Sequence, residues 1–258
     1  GIQLKFIFAI LKLLKILFRL LPLKFRFTLK SIFYNLKNLL PIHQKSCPIC
    51  NYDGYFYPFG RPPRSDAQCP SCHSLERHRL FYFLIHSQEI SFLEKDSKIL
   101  HFAPEKFLIK FFRKYQNYIT ADIAGDVDKL INIEKIDYPN NTFDLIIANH
   151  VFEHVDDLKA FKEVYNVLKP EGILITSVPI IYGWLTTYEN ESIKTNKDKS
   201  IHFGQYDHVR YYGSDFSNRI TQICDLKLIK TYSLSKIDEI KYGLMRGEKI
   251  YLFKKENN

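Results

Sequence analysis

The chain has 258 residues, 46% of them apolar, and a formal net charge of +9 at pH 7. That length is enough for one main domain with a full core, plus an appendage. Residues 1–46 hold nine of the 37 Lys and Arg residues and no acid, so 28 basic residues remain to balance 28 acidic ones in 47–258. A neutral body argues against nucleic acid as a partner, because phosphate binding needs a basic surface.

Residues 1–46 predict a basic amphipathic helical arm, interrupted by Pro22. Lys5, Lys12 and Arg19 recur every seven residues among Leu, Ile and Phe. The longest purely apolar run, 6–11, is far shorter than the ~20 residues of a transmembrane helix, and no signal cleavage site follows it. Two interpretations stay open. In the first, residues 1–40 lie in a membrane interface, and the protein is cytoplasmic and held peripherally on the inner membrane face. In the second, the arm packs its apolar face on the protein body or on a second subunit.

Residues 47–90 predict a zinc ribbon and a following helix, Ser74–His86. Cys47-x-x-Cys50 and Cys69-x-x-Cys72 are separated by eighteen residues, which is the spacing of a four-cysteine zinc site. Four thiolates fill a tetrahedral ion, so the expected zinc is structural. Disulfides are the alternative, but nothing marks the chain as secreted.

Residues 91–258 predict an α/β domain. Buried strands are expected at 98–103, 118–122, 145–148 and 173–178, helices at 105–114 and 214–223, and two alternating strands at 226–232 and 249–254. A further helix, capped by Asp156 or Asp157, is expected to carry Leu158, Phe161, Val164, Tyr165 and Leu168 at helical spacing. Strand, helix and strand at 143–179 form a right-handed crossover. Ligands of such sheets bind beyond the carboxyl ends of the strands, where Asn149–His154 lie.

The segment that carries this crossover is FDLIIANHVFEHVDDLKAFKEVYNVLKPEGILITSVP. It resembles the fourth strand, helix and fifth strand of class I (Rossmann-like) S-adenosylmethionine-dependent methyltransferases, especially methyltransferase type 11. The resemblance extends over about 98–258. It implies a mostly parallel sheet with an antiparallel final strand, preceded by the small zinc ribbon and the N-terminal helical arm.

The resemblance also implies a cofactor site for S-adenosylmethionine. Glu105 is expected at the ammonium group, Asp122 at the ribose hydroxyls, and Asn149 and His150 at the methionine part. The full predicted set is His101, Ala103, Glu105, Asp122, Asn132, Ile133, Asn149 and His150, with Asn132 and Ile133 lining the adenine. The family's glycine-rich first turn is absent, since the chain reads His101-Phe-Ala-Pro-Glu105 there.

The acceptor side is expected in the long connection Pro179–Gly213. Its cluster His202, Asp207, His208 and Arg210 resembles a D-H-V-R-x-Y-G segment of these enzymes. His208 or His150 is the predicted base, with Asp207 orienting it. Tyr188, His202 and Arg210 are the predicted acceptor-binding residues. Alternatively, Asp207 and Arg210 pair to brace the connection.

These patterns predict a methyltransferase acting on a small or surface-associated acceptor, such as a glycan, a lipid head group or a metabolite. Three alternatives are kept. One is an RNA methyltransferase with a basic patch at Arg61, Arg64, Arg77 and Arg79. Another is a non-catalytic relative of the fold. The third is a zinc peptidase, because residues 150–154 match H-x-x-E-H.

Overall fold

The computed structural model describes Pro22 and residues 44–60, 63–244 and 248–256. The predicted arm, apart from Pro22 and residues 44–46, lies outside the described residues. The chain divides into two compact units: Gly1–Glu76 with Ile240–Gly243, and Arg77–Glu239 with Leu244–Asn258. The first unit therefore ends at Glu76, within the stretch 47–90 that the sequence assigns to one domain.

The first unit contains two short antiparallel pairs of strands. β1 (Lys45–Ser46) pairs with β2 (Asp53–Gly54), and β3 (Tyr57–Phe59) pairs with β4 (Arg64–Gln68). Its buried apolar cluster consists, among the described residues, of Cys47, Phe56 and Cys69. Helix α1 (Glu76–Ile85) begins at the last residue of this unit.

The second unit is built on a seven-stranded sheet, a separate pair of strands and the helices between them. In chain order, its elements are β5 (Lys98–Phe102), α2 (Lys106–Phe112), β6 (Asn117–Asp122), β7 (Lys129–Leu130), β8 (Phe143–Asn149), α3 (Asp157–Val167), β9 (Leu168–Ser177), β10 (Tyr188–Glu189), α4 (Asn196–Phe203), β11 (Arg210–Tyr211), α5 (Phe216–Ile223), β12 (Leu226–Tyr232), α6 (Lys236–Tyr242, which runs into the first unit's second segment) and β13 (Ile250–Lys255). The sheet has the order β12-β13-β9-β8-β5-β6-β7. β13 runs antiparallel to both of its neighbours, as the sequence predicts for the last strand.

The continuous apolar run of β8 is explained by burial on both faces of the sheet. Because side chains alternate along a strand, Ile146 and Ala148 join one apolar cluster while Leu145 and Ile147 join the other. The helices α3 and α5 cover the first face, and α1 and α2 cover the second. The predicted α/β architecture is confirmed.

A buried ion network fixes α3 to the connection that follows β9. Asp157 has no exposed surface, and its carboxylate accepts hydrogen bonds from Arg219 at 2.8 and 2.9 Å and from the Tyr212 hydroxyl at 2.8 Å. The Arg210 guanidinium lies 3.4 Å from the same carboxylate. This arrangement holds the segment 178–219 against the start of α3.

Two connections contain more regular structure than the sequence predicts. The stretch 179–213 includes the β10–β11 pair and helix α4, and the segment after β12 includes helix α6. Both helices are polar, and α6 has no buried residue, so neither shows an apolar stripe in the sequence. Within the described residues, no helix has the length and apolar character needed to cross a bilayer.

Candidate functional site

The carboxyl ends of three neighbouring strands bring the predicted cofactor residues to one edge of the sheet. Phe102 of β5 is in register with Ala121 of β6 and Ala148 of β8. Ala103, Asp122 and Asn149 follow these positions directly, so they lie at the same level of the sheet. The Ala103 amide still donates to the Ala121 carbonyl at 3.0 Å.

Two residues at this edge have left-handed backbone conformations that side chains rarely adopt. Ala103 has a φ of 45° and His150 a φ of 53°. Such residues cost about 1–3 kcal/mol each and gather at functional sites. At Ala103 the chain turns in the manner that a glycine normally provides. The missing glycines therefore do not prevent a sharp first turn.

A buried chain of hydrogen bonds holds Glu105 in the turn after β5. His101 is fully buried, its Nδ1 lies 2.8 Å from the Tyr118 hydroxyl, and its Nε2 donates to Glu105 Oε2 at 3.2 Å. Burial by itself raises the pKa of Glu105, but the hydrogen bond and charge from His101 and the charge of His78 lower it overall. Glu105 is thus a carboxylate kept ionised beside the strained turn.

Asp122 ends β6 beside two exposed apolar side chains. Its Oδ1 accepts from the Ile123 amide at 2.6 Å, and Leu130 is its partner in β7. Ile123 is 73% exposed and Leu130 69% exposed. An acid flanked by bare apolar surface is suited to a ligand with hydroxyls next to an aromatic ring. The sequence interpretation did not single out Ile123 or Leu130.

The predicted adenine residues occupy less open positions. Ile133 is 3% exposed and belongs to the apolar core, and the Asn132 side-chain oxygen caps the Glu134 amide at 2.9 Å. A core side chain offers little surface to a ligand, which makes Ile123 and Leu130 the better candidates for that role.

Polar groups of β8 and the turn after it come together at the same edge. Asn149 is 3% exposed, and its oxygen accepts from Ser177 Oγ at 3.4 Å. His150 Nδ1 donates to Glu153 Oε1 at 3.2 Å, and its Nε2 lies 3.9 Å from Glu248 Oε1. Burial lowers the pKa of His150, but the hydrogen bond to Glu153 and the charges of Glu153 and Glu248 outweigh it and raise that pKa. His150 therefore retains its proton longer than an ordinary histidine, which makes it a poor base.

His208 is the better placed of the two predicted bases. It is 3% exposed, and burial lowers the pKa of its imidazole, so the ring is neutral near pH 7. Its Nδ1 donates to the Phe203 carbonyl at 3.1 Å, which leaves Nε2 with a free lone pair. The prediction that Asp207 orients His208 is wrong: Asp207 Oδ2 lies 3.4 Å from His154 Nδ1, and the Phe203 carbonyl orients His208 instead.

The predicted acceptor-binding residues separate into two groups. The Tyr188 hydroxyl and His202 Nδ1 are 2.8 Å apart on the exposed side of the connection. Arg210 is only 6% exposed, and it donates to the carbonyls of Phe152 and Val155 at 2.7 and 2.6 Å and to Glu189 at 3.1 Å. Arg210 thus braces the connection with its donors in use, and it does so through Glu189 and Asp157 rather than through Asp207.

The four cysteines of the first unit sit in two matching turns. The Asn51 amide donates to the Cys47 carbonyl and the His73 amide to the Cys69 carbonyl, each at 2.9 Å. Asn51 and His73, which follow the second cysteine of each pair, both have left-handed φ angles, 60° and 58°. Two identical turns facing one another present four sulfurs to one point.

The sulfur geometry fits a tetrahedral metal ion. Cys47 Sγ lies 3.6 Å from Cys72 Sγ, Cys50 Sγ lies 3.6 Å from Cys69 Sγ, and all four sulfurs are within 4.8 Å of one another. Zinc with Zn–S bonds of about 2.3 Å separates sulfurs by about 3.8 Å. The cysteines are free thiols rather than disulfides. The predicted convergence of all four is confirmed.

Two alternatives lose support from the structure. The peptidase motif needs both histidines on a helix, but α3 begins only at Asp157, after His150 and His154. Of the four arginines predicted to form an RNA-binding patch, Arg79 has no exposed surface and Arg64 is ion-paired with Glu76 at 2.8 Å, while Arg61 lies outside the described residues.

Comparison with known proteins places a family match on this sheet. Residues 110–176 match the methyltransferase domain family. The mitochondrial arginine-hydroxylase NDUFAF5 of Rattus norvegicus is 35% identical over 75 residues, 29% of this chain and 21% of its own length. The ubiquinone/menaquinone biosynthesis C-methyltransferase UbiE of Hydrogenovibrio crunogenus is 46% identical over 55 residues, 20% of this chain and 22% of its own. The chain spans about a third or less of the curated relatives that it matches.

Among solved structures, the YcgJ protein of Bacillus subtilis overlaps 70% of this chain and 100% of its own, with 14% sequence identity and a TM-score of 0.48. The strand order, the antiparallel β13 and the family match over residues 110–176 agree with one another. The chain is therefore similar to methyltransferase domains over residues 110–176, and its sheet has a Rossmann-like α/β fold.

Proposed function

We propose that this protein is an S-adenosylmethionine-dependent methyltransferase whose acceptor is a small or surface-associated molecule, such as a glycan, a lipid head group or a metabolite. The observation that carries the proposal is the edge formed by Ala103, Asp122 and Asn149, where a strained turn, a carboxylate and a buried amide lie at the ends of three adjacent parallel strands. Ligands of open α/β sheets bind at such an edge.

The cofactor's adenosine fits beside Asp122. A carboxylate at the end of the second strand accepts hydrogen bonds from both ribose hydroxyls. The exposed side chains of Ile123 and Leu130 offer apolar contact to the adenine ring. Burial of a flat aromatic ligand on such surface is favourable because it removes apolar area from water.

The methionine end of the cofactor fits at the strained turn. Glu105 is a carboxylate held by His101, and it supplies the charge that an ammonium group requires. Asn149 Nδ2 has no hydrogen-bond partner in the part of the chain that the structure describes, although it is buried. A buried donor of this kind is costly unless a ligand pairs with it, and the cofactor's carboxylate can accept its hydrogen bond.

The cofactor, when bound, supplies a methyl group on a positively charged sulfur. The chain's own residues align the acceptor with that group and remove a proton from an acceptor that carries one. His208 is the proposed base because its pKa is lowered by burial and its Nε2 is left free. The exposed Tyr188–His202 pair is the proposed contact for the acceptor.

We also propose that Cys47, Cys50, Cys69 and Cys72 hold a structural zinc ion. Four thiolates leave no open coordination position, so this ion has no catalytic role. The basic arm is proposed to keep the protein at a membrane surface through residues 1–40, which lie outside the described part apart from Pro22. Flotation with liposomes of anionic and neutral lipid tests this: equal recovery with and without residues 1–40 would end the membrane proposal.

Calorimetric titration of the full chain with S-adenosylmethionine and S-adenosylhomocysteine tests the cofactor proposal. Both are expected to bind, and Asp122→Asn is expected to weaken binding about 10- to 100-fold, because a charge-assisted hydrogen bond is worth about 1.5–3 kcal/mol. Asp126→Asn is the matched control, since Asp126 is an exposed carboxylate in the loop that follows Asp122. Absence of binding to the wild-type chain would contradict the proposal.

A second step separates an enzyme from a non-catalytic relative that merely binds the cofactor. Radioactive methyl transfer to extracted lipids, glycans and small metabolites is expected, while transfer to RNA is expected to be absent. Cofactor binding without transfer to any of these classes would favour the non-catalytic relative. Transfer to RNA with a steep salt dependence would favour the RNA methyltransferase instead.

A further inference from the structure

Three metal-ligating side chains meet outside the cysteine cluster. Glu153 and His154 follow β8, and His208 comes from the segment before β11. The Val209 amide donates to the Glu153 carbonyl at 2.9 Å, which fixes the two segments to each other. One ligand atom from each of the three side chains lies within 4.8 Å of the other two.

Both imidazoles are oriented by their second ring nitrogen. His208 Nδ1 donates to the Phe203 carbonyl at 3.1 Å, and His154 Nδ1 lies 3.4 Å from Asp207 Oδ2. In each ring this leaves Nε2 as the atom with a free lone pair. Metal-binding histidines are held in this way, by a carbonyl or carboxylate on the nitrogen that does not touch the ion.

The carboxylate of Glu153 is buried but incompletely paired. The residue is 2% exposed, and its Oε1 accepts the hydrogen bond from His150 at 3.2 Å. Across the described residues, no group donates to its other oxygen, Oε2. A buried carboxylate oxygen without a partner is unfavourable, and a cation between it and two imidazoles removes that cost.

We propose that Glu153, His154 and His208 form a second metal site, which binds a divalent transition-metal ion. Two imidazole nitrogens and one carboxylate oxygen are the ligands that ions such as zinc and iron(II) take in sites with open positions. This site goes beyond the proposed methyl transfer. While an ion is bound, His208 Nε2 is a ligand and cannot accept a proton, so the metal-binding and base roles of His208 exclude one another.

The proposed site borders a cavity through His154. Three protein ligands leave at least one position for water or for an oxygen of a ligand. His154 also lines an open cavity of about 500 Å3, which Lys194, Lys199 and Arg219 border as well. The chemical class expected at the open position is an oxygen donor such as a hydroxyl or a carboxylate.

Zinc content of the full chain tests the proposal. After equilibration with micromolar zinc and gel filtration, the wild-type chain is expected to carry about two zinc ions, one of them in the cysteine cluster. His154→Ala, His208→Ala and Glu153→Gln are expected to carry about one. Glu153→Gln keeps the shape of the side chain, so a loss of zinc in that variant cannot be attributed to altered packing. Circular dichroism checks that the variant is folded.

Two further variants sharpen the test. Asp207→Asn is expected to weaken zinc at the second site about 10- to 100-fold, because Asp207 orients a ligand without touching the ion. His86→Ala is the matched control. His86 is exposed, and its Nδ1 donates to the Tyr82 carbonyl at 2.7 Å. This variant is expected to leave two zinc ions per chain. One zinc per wild-type chain, or two in Glu153→Gln and His208→Ala, would overturn the proposal.

Discussion

The two compact units hold themselves together by different means. The described part of the first unit has two-stranded pairs and an apolar cluster of Cys47, Phe56 and Cys69. The second has a seven-stranded sheet with apolar clusters on both faces. Ordering one residue costs about 1–2 kcal/mol, while burying a Phe side chain contributes about 1.5–3 kcal/mol. The described part of the first unit buries one Phe, Phe56, so we expect this unit to depend on the proposed zinc ion, whereas the sheet is stabilised by its own apolar clusters.

The largest expected effect is that of metal removal, which should unfold the first unit and leave the second folded. Chelation, or Cys50→Ser, is expected to unfold the first unit, because structural zinc contributes about 10 kcal/mol or more to such folds. The sheet is expected to remain. Amide hydrogen exchange measures the folding of both units. The Asn51 and His73 amides, which donate to carbonyls within the cysteine turns, should lose protection from exchange, while the amides of β8 should keep it.

Cys224→Ser provides the control for that experiment, because Cys224 lies outside the cysteine cluster. Its first-unit amides should stay protected. Continued protection of Asn51 and His73 after complete metal removal would show that the first unit needs no ion.

Within the sheet unit, the ion network around Asp157 should be the most sensitive point. Asp157→Asn is expected to lower the free energy of unfolding by about 3–5 kcal/mol, since it leaves Arg210 and Arg219 beside a neutral group. Denaturant unfolding measures this. Asp156→Asn is the matched neighbour: asparagine caps a helix as well as aspartate does, so a change below about 0.5 kcal/mol is expected. Equal effects of the two would refute the network's role.

The stability of the second unit is expected to depend on pH through His78. Burial lowers the pKa of His78 to about 4, with Arg77 and Arg79 adding to the effect and Glu105 opposing it. The unfolded chain binds this proton near pH 6.5 and the folded chain only near pH 4, so stability is full above about 6.5 and falls as the pH drops towards 4. Between about pH 7 and pH 5 the free energy of unfolding is expected to fall by about 2 kcal/mol.

His78→Gln removes the titrating group and keeps a polar side chain. Denaturant unfolding at pH 7 and pH 5 measures the fall in the free energy of unfolding between these values. This fall should be about 2 kcal/mol smaller in His78→Gln than in the wild-type chain. The same pH dependence in both chains would mean that His78 is not the group responsible.

The smallest effect should come from the strained turn. Ala103→Gly is expected to raise the free energy of unfolding by about 1 kcal/mol, because glycine adopts a left-handed φ without strain. Ala148→Gly, in the extended backbone of β8, is the control of opposite sign and should lower it by about 1 kcal/mol. Thermal unfolding distinguishes the two, and destabilisation by Ala103→Gly would mean that the turn is not strained.

The crossover at the centre of the sheet was predictable because its signal is local. The apolar run of β8 and the helical spacing of α3 each lie within a dozen residues, and the structure places β8 at Phe143–Asn149 and α3 at Asp157–Val167. The convergence of the four cysteines was predictable for the same reason, since their spacing is part of the motif.

The missed elements lack an apolar pattern. Helix α4 begins at a Thr195 cap that accepts from the Asp198 amide and ends at Gly204 with a φ of 79°. These start and stop residues were visible in the sequence. A helix with one buried residue, however, gives no periodic signal, so the caps alone did not distinguish it from a charged loop.

The roles of Asp207 and Arg210 depended on contacts across the fold. Arg210 bonds the carbonyls of Phe152 and Val155, more than 50 positions away in the chain, and Asp207 meets His154 rather than its neighbour His208. Sequence spacing orders residues along one segment only. Which segment lies opposite is decided by the sheet, and so the cluster of Glu153, His154 and His208 was visible only in three dimensions.

The position of β13 between β9 and β12 imposes an order of assembly. Among the described strands, β12 pairs with β13 alone, and β13, which comes after it in the chain, hydrogen-bonds to both β12 and β9. During synthesis, β5 to β9 can associate early, but β12 has no edge to join until residues 250–255 have emerged. β13 pairs with β9 across 75 positions of the chain, from Thr176 to Tyr251, and contacts between such distant segments form slowly. We therefore expect the flank of the sheet that holds β12 and β13 to become native last, with the edge of β9 unpaired in a nascent chain that pauses before residue 250.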